Sequence, residues 1–119
     1  MMNRLAFGQT NEKKAAAFLK KQGHKIIVCN FHAKHGEIDI ISVVGRKKLV
    51  FTEVRSKNSI TYGHPAETID FNKQQRIRET AKVFIYKNPM YENYECRFDV
   101  ITIIGEGKSA LLEYFEDAF

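Results

Sequence analysis

Residues 36–57 read GEIDIISVVGRKKLVFTEVRSK, two β-branched runs around a Gly-Arg-Lys turn, and the fold follows from this stretch. Glu37 to Val44 and Lys48 to Arg55 each predict a strand. In the second, Leu49, Phe51, Glu53 and Arg55 share one face, and Val50, Thr52 and Val54 share the other. Opposed residues of an antiparallel pair keep a constant sum of residue numbers. A three-residue loop at 45–47 opposes Val44 to Lys48, and the same sum opposes Asp39 to Glu53. The two carboxylates then lie on one side of the hairpin with side-chain roots about 5 Å apart.

Working outward, Arg4 to Gln22 predicts a helix closed by Gly23, with an apolar stripe through Ala15, Ala16 and Leu19. Glu12 falls on that stripe, an unusual place for a carboxylate. Lys25 to Phe31 predicts another strand, and the polar segment Ser56 to Pro65 a loop. A second helix is expected over Glu67 to Lys87, with Ile69, Lys73, Ile77, Ala81 and Phe84 near one face and Arg76, Arg78 and Lys82 in solvent. Arg97 to Ile104 reads as a fourth strand and Ala110 to Phe115 as a fifth, with a hairpin turn at Gly105-Glu106-Gly107. The order of helix, three strands, helix, and one or two strands describes an α/β domain with a small mixed sheet flanked by helices.

With 119 residues, 44% of them hydrophobic, and seven Gly, two Pro and no Trp, the chain suits one domain over 1–119 and excludes two. Cys29 and Cys96 are too few for a disulfide framework; both sit in apolar runs, which predicts buried free thiols and a reducing compartment. Met1 to Gly8 lacks the apolar run of a signal peptide and no stretch approaches bilayer length, so the expectation is a cytoplasmic protein without a membrane partner. The net charge of +5 is uneven. Residues 105–119 hold one base and four acids, which leaves 18 bases against 10 acids on residues 1–104. That body would be the part that meets a polyanion.

Two like charges this close require a shared proton, a bridging base or a divalent cation. The last carries chemistry: a few hard oxygens beside open positions suit Mg²⁺ or Mn²⁺, which keeps waters and takes a substrate phosphate. Arg55 would set a fixed cation beside that phosphate, and Glu12 would complete the site if the first helix crosses this sheet. The competing readings are a surface cross-strand pair neutralised by Arg55 and Lys57, and a rotated helix that leaves Glu12 in water. His24, His32, His35 and His64 lack zinc-ligand spacing. Arg46-Lys47-Lys48 is a solvated turn, and Tyr62 and His64 either contact a nucleotide or shape their loop.

Taken together, the chain resembles the YraN-type family of small bacterial proteins, predicted endonucleases similar to Holliday-junction resolvases. The resemblance runs through Gly8 and Glu12, Asn30 before a loop, Gly36-Glu37-Ile38-Asp39-Ile40, Val50-Phe51-Thr52-Glu53-Val54-Arg55-Ser56-Lys57, Tyr62-Gly63, Lys73 with Arg76-Ile77, Arg97-Phe98-Asp99-Val100, and Asp117-Ala118-Phe119. His32 stands where the family commonly has arginine, and Thr52 where it usually has valine. The resemblance implies a restriction-endonuclease-like fold with Asp39 and Glu53 as metal ligands, Glu12 supporting the metal directly or through water, and Arg55 at a position usually filled by lysine. It also implies Mg²⁺ (or Mn²⁺) as cofactor, and Lys73 as a phosphate contact beside Lys57, Tyr62, His64 and Arg76. The expected activity is hydrolysis of nucleic acid, DNA before RNA, in structured or branched form, for which a homodimer would suit two-fold substrates. The alternatives are a non-catalytic nucleic-acid-binding module with the same fold and a protein-interaction adaptor.

Overall fold

A computed structural model describes residues 4–57 and 69–119, with the side chains of residues 4–9 left aside. The element order is α1 (Arg4–Lys21), β1 (Lys25–Ala33), β2 (Gly36–Val44), β3 (Lys48–Lys57), α2 (Phe71–Lys87), β4 (Glu95–Ile104) and β5 (Leu111–Phe115), with short 3₁₀ turns at Pro89–Tyr91 and Gly107–Ser109. The five strands form one sheet in the order β1-β2-β3-β4-β5. β3 and β4 are parallel and the other three pairs antiparallel. The parallel pair follows from chemistry already in the chain: strands running the same way need a crossover, and α2 supplies it. Among the described residues no helix is long and apolar enough to cross a membrane.

Each face of the sheet carries one helix. Ala15 and Leu19 of α1 pack with Ile40, Ile101 and Ile103 on one side, while Ile77, Ala81 and Phe84 of α2 pack with Ile41, Leu49, Phe51 and Phe98 on the other. Leu19 is wholly buried, so Leu19→Ala would cost about 2–5 kcal/mol. The hairpin register is the expected one: Val44 opposes Lys48 and Ile40 opposes Thr52 across a turn in which Gly45 and Lys47 take positive φ. The β4–β5 turn likewise uses Gly105 and Gly107 at positive φ.

Several local expectations are corrected. α2 begins at Phe71 rather than Glu67, because the Asp70 carboxylate accepts the Lys73 N–H at 2.7 Å and caps the helix there. Cys29 and Cys96 are free but exposed: Cys29 is on the outer strand β1, and Cys96 lies at the start of β4, ahead of the stretch that β5 covers. Arg78 is not a solvated base: its guanidinium lies over the Phe98 ring at 4.6 Å and near Phe119 at 5.8 Å. β1 runs on through Asn30 to Ala33 instead of ending before a loop.

Candidate functional site

The β2–β3 ladder is regular from Val44 and Lys48 up to Ile40 and Thr52, one step short of Asp39 and Glu53. There the pairing changes. Asp39 Oδ2 accepts the backbone N–H of Val54 at 2.8 Å, so a carboxylate occupies the place of a main-chain acceptor. The alternation of β2 slips at the same point: Ile38 packs on the α2 side and Ile40 on the α1 side. On β1, Cys29 opposes Ile40 and Phe31 opposes Ile38, so Asn30 stands across from Asp39, and Asn30 has a left-handed backbone with φ of 56°. Asn accepts that conformation more readily than most residues. The two irregularities face each other and open the sheet where the acids sit.

Asp39 and Glu53 are buried, at 7% and 8% exposure, which excludes a surface cross-strand pair. Burial first, and then the charge of Glu53, raise the Asp39 carboxyl to about 8; the Val54 N–H acts the other way, and Glu12 and Glu37 add smaller upward pushes. Asp39 thus keeps a proton near neutrality when no cation is bound. A base beside Glu53 comes from α2: Lys73 Nζ lies 3.0 Å from Glu53 Oε1. Lys73 was expected at phosphate, and it stands within the site with its ammonium on a carboxylate.

Glu12 is half-buried on α1. The residue before it, Asn11, is buried and donates through Nδ2 to Ser56 Oγ at 2.6 Å, tying the helix to the end of β3. Sequence reasoning missed Asn11. Its signal was a polar residue four positions before Ala15 on the buried stripe. Arg55 is half-buried and pairs with Thr102 across the parallel ladder, and Lys57 closes β3 opposite Ile104. Arg76 is exposed on α2, and Gly36 lies close under that helix: a Cβ there would crowd Thr80 Oγ1 at 3.2 Å and touch Arg76 at ordinary contact distance. Tyr62 and His64 lie outside the described residues.

Among the described residues no three His, Cys, Asp or Glu side chains are gathered closely enough to form a metal cluster. Asp39 and Glu53 are a pair, with Glu12 felt from farther away. Two buried hard-oxygen donors still fit a divalent ion that keeps most of its waters, because such an ion would offset the burial and the repulsion that together hold a proton on Asp39.

A model of the family described as Uncharacterised protein family UPF0102 matches residues 11–103. The UPF0102 protein of Caldanaerobacter subterraneus subsp. tengcongensis is 38% identical over 112 residues, covering 94% of this chain and 90% of its own. That of Chloroherpeton thalassium is 40% identical over 124 residues, covering 100% and 92%. That of Rhodococcus opacus is 38% identical over 120 residues, covering the whole of both.

Proposed function

This chain belongs to UPF0102, the YraN-type family, and from that premise we propose that it is a cytoplasmic metal-dependent endonuclease acting on structured or branched DNA. The observation that carries the reading is the buried Asp39–Glu53 pair at the opening of the sheet, with the Asp39 carboxyl raised to about 8. Evolutionarily neutral sheets do not need two desolvated acids that repel, whereas a cation site does. Asp39 and Glu53 would hold Mg²⁺ or Mn²⁺, with Glu12 supporting it directly or through water. When bound, the ion would supply Lewis acidity toward water and phosphate.

The chain's own groups do the rest. Arg55 lies two residues beyond Glu53 on the same strand face, where its planar guanidinium would position phosphate. Lys73, now paired with Glu53, would be available to a phosphate oxygen if that carboxylate held a cation. Lys57 and Arg76 would extend the positive surface, and Tyr62 and His64, outside the described residues, are kept as nucleotide contacts on their chemistry alone. Asn11 is a positioning residue that keeps Glu12 beside the end of β3.

The second reading, a binding module without cleavage, draws on the Lys73–Glu53 ion pair, which already neutralises one acid. The test is nicking of a branched DNA and its paired control by purified chain with Mg²⁺ or Mn²⁺. Nicking should fall at least about 100-fold, some 2.7 kcal/mol of transition-state stabilisation, in Asp39→Asn and in Glu53→Gln, while DNA affinity stays near wild type. DNA binding with no divalent-dependent nicking selects the module. Absence of DNA binding rejects both.

A further inference from the structure

Beside the acid pair, between α1 and β1, an open pocket of about 320 Å³ is lined by Glu12, Lys13, Ala16, Cys29 and Asn30. We propose that this pocket receives one unpaired nucleobase of the strand whose phosphate lies at Asp39 and Glu53, so that the site selects nucleotides already out of the stack. The inference rests on the endonuclease reading and names its substrate class.

Position is the first argument. Cys29 opposes Ile40, the neighbour of Asp39, and Asn30 stands opposite Asp39 itself. The pocket thus lies one strand away from the acids, within reach of the base of a nucleotide whose phosphate sits on them. Glu12 and Ala16 stand one turn apart on α1, and the Asn11–Ser56 hydrogen bond fixes that turn against β3. The pocket and the acid pair are thus held by the same contacts.

Size and lining are the second argument. The volume is at the low end of the range for ligand pockets, about 300–1,000 Å³, which admits one heterocycle and excludes a stacked pair. Ala16 and Cys29 offer apolar surface for a base face. The Asn30 amide carries both a donor and an acceptor, the pattern that meets a base edge, and it has no hydrogen-bond partner among the described residues. Glu12 can accept from an exocyclic amine through an oxygen not turned to the acid pair. Lys13 at the rim supplies the charge for the adjoining phosphate.

The energetic consequence sets the specificity. Taking a base out of a duplex costs a few kcal/mol, and the cost is least where the base is already unpaired. A pocket that must be filled before the phosphate is aligned therefore favours branch points, gaps and loops over regular duplex.

The experiment uses the full chain carrying Cys96→Ser, so that Cys29 is its one thiol. It is mixed, with Ca²⁺ and no Mg²⁺, with a fluorescein-labelled gapped DNA bearing 2-aminopurine at the unpaired position, or with the same sequence fully paired. Anisotropy reads total binding, 2-aminopurine emission reads the base environment, and the alkylation rate of Cys29 by N-ethylmaleimide reads occupancy of the pocket. The gapped DNA should change the 2-aminopurine emission and slow alkylation at least about tenfold, and the duplex should do neither. Ala16→Phe, which fills the pocket, and Asn30→Gly, which removes the amide but keeps the backbone at positive φ, should each weaken gapped-DNA binding about tenfold and leave duplex binding unchanged. That factor corresponds to about 1.4 kcal/mol. Gapped DNA that binds with unprotected Cys29 and unaltered affinity in both variants overturns the pocket and leaves the endonuclease reading standing. No binding of either DNA overturns the endonuclease reading and the pocket with it.

Discussion

Two buried aspartates, on strands separated only by β3, are handled in opposite ways. Asp99 on β4 is completely buried and fully partnered. Arg97 grips it with Nε at 2.9 Å and Nη2 at 3.0 Å, the Tyr114 hydroxyl donates to it, and the Asp117 N–H donates at 2.9 Å. Burial works against the Arg97 charge, but the hydrogen bonds and charge of Asp99 outweigh it and push its pKa further up. Burial and the same aspartate push the Tyr114 phenol up as well. Asp39 on β2 receives one backbone N–H and faces another acid. A closed network fixes a terminal segment in place, and an incomplete one leaves an opening for something from outside. Both aspartates are buried; what separates them is the count of their partners.

The comparison breaks most visibly at Asp99. Asp99→Ala strands the Arg97 guanidinium in the interior and should lower stability by about 3–5 kcal/mol in urea or thermal unfolding. Asp39→Asn, at a site of similar burial, should leave stability equal to or above that of wild type, because the amide is neutral without having to hold a proton and cannot ionise beside Glu53. If both substitutions cost the same, the distinction drawn here is wrong.

A smaller effect should appear in the pH profile. The folded Asp39 carboxyl titrates near 8 and the unfolded one near 3.9, so between those values the folded state holds the extra proton. Stability contributed by this group is therefore greatest at the acid end and declines as pH rises through that window, levelling off above about 8. Subtracting the profile of Asp39→Asn isolates the slope, and saturating Mg²⁺ should flatten it. A wild-type and variant difference that does not change with pH would show that the two acids are not coupled.

The smallest expected effects come from single polar groups. Lys73→Met should leave the fold intact and reduce the salt dependence of DNA binding by about one counterion. The buried Thr52 hydroxyl has no hydrogen-bond partner among the described residues, so Thr52→Val should be neutral or stabilise the protein by about 1 kcal/mol.

That last position also shows what the chain discloses in advance. The hairpin register was legible because residue spacing and a three-residue turn determine it, and it placed Asp39 and Glu53 at the same level. The α/β layout was legible from periodicity. The end of the β2–β3 ladder at Ile40 and Thr52 was not, since it comes with a slip in β2 and a left-handed Asn30 on β1 that no alternation pattern announces. The Lys73–Glu53 ion pair joins residues brought together only by the crossover, and Arg78 looked solvent-facing because its aromatic partners, Phe98 and Phe119, come much later in the chain. The cysteines misled for a related reason: an apolar run identifies a strand but not which of its residues reaches the rim. The start of α2 could have been found, because aspartate at position 70 is a good helix cap.

The mixed sheet has a temporal consequence. β1, β2 and β3 are joined by short turns and need no distant partner, whereas β4 must wait for α2 to return the chain beside β3. The nascent meander therefore brings two carboxylates face to face before the ammonium that answers one of them has been ordered. Protons or dissolved divalent ions would ease that early encounter, making the folding rate, and not only the finished molecule, responsive to both.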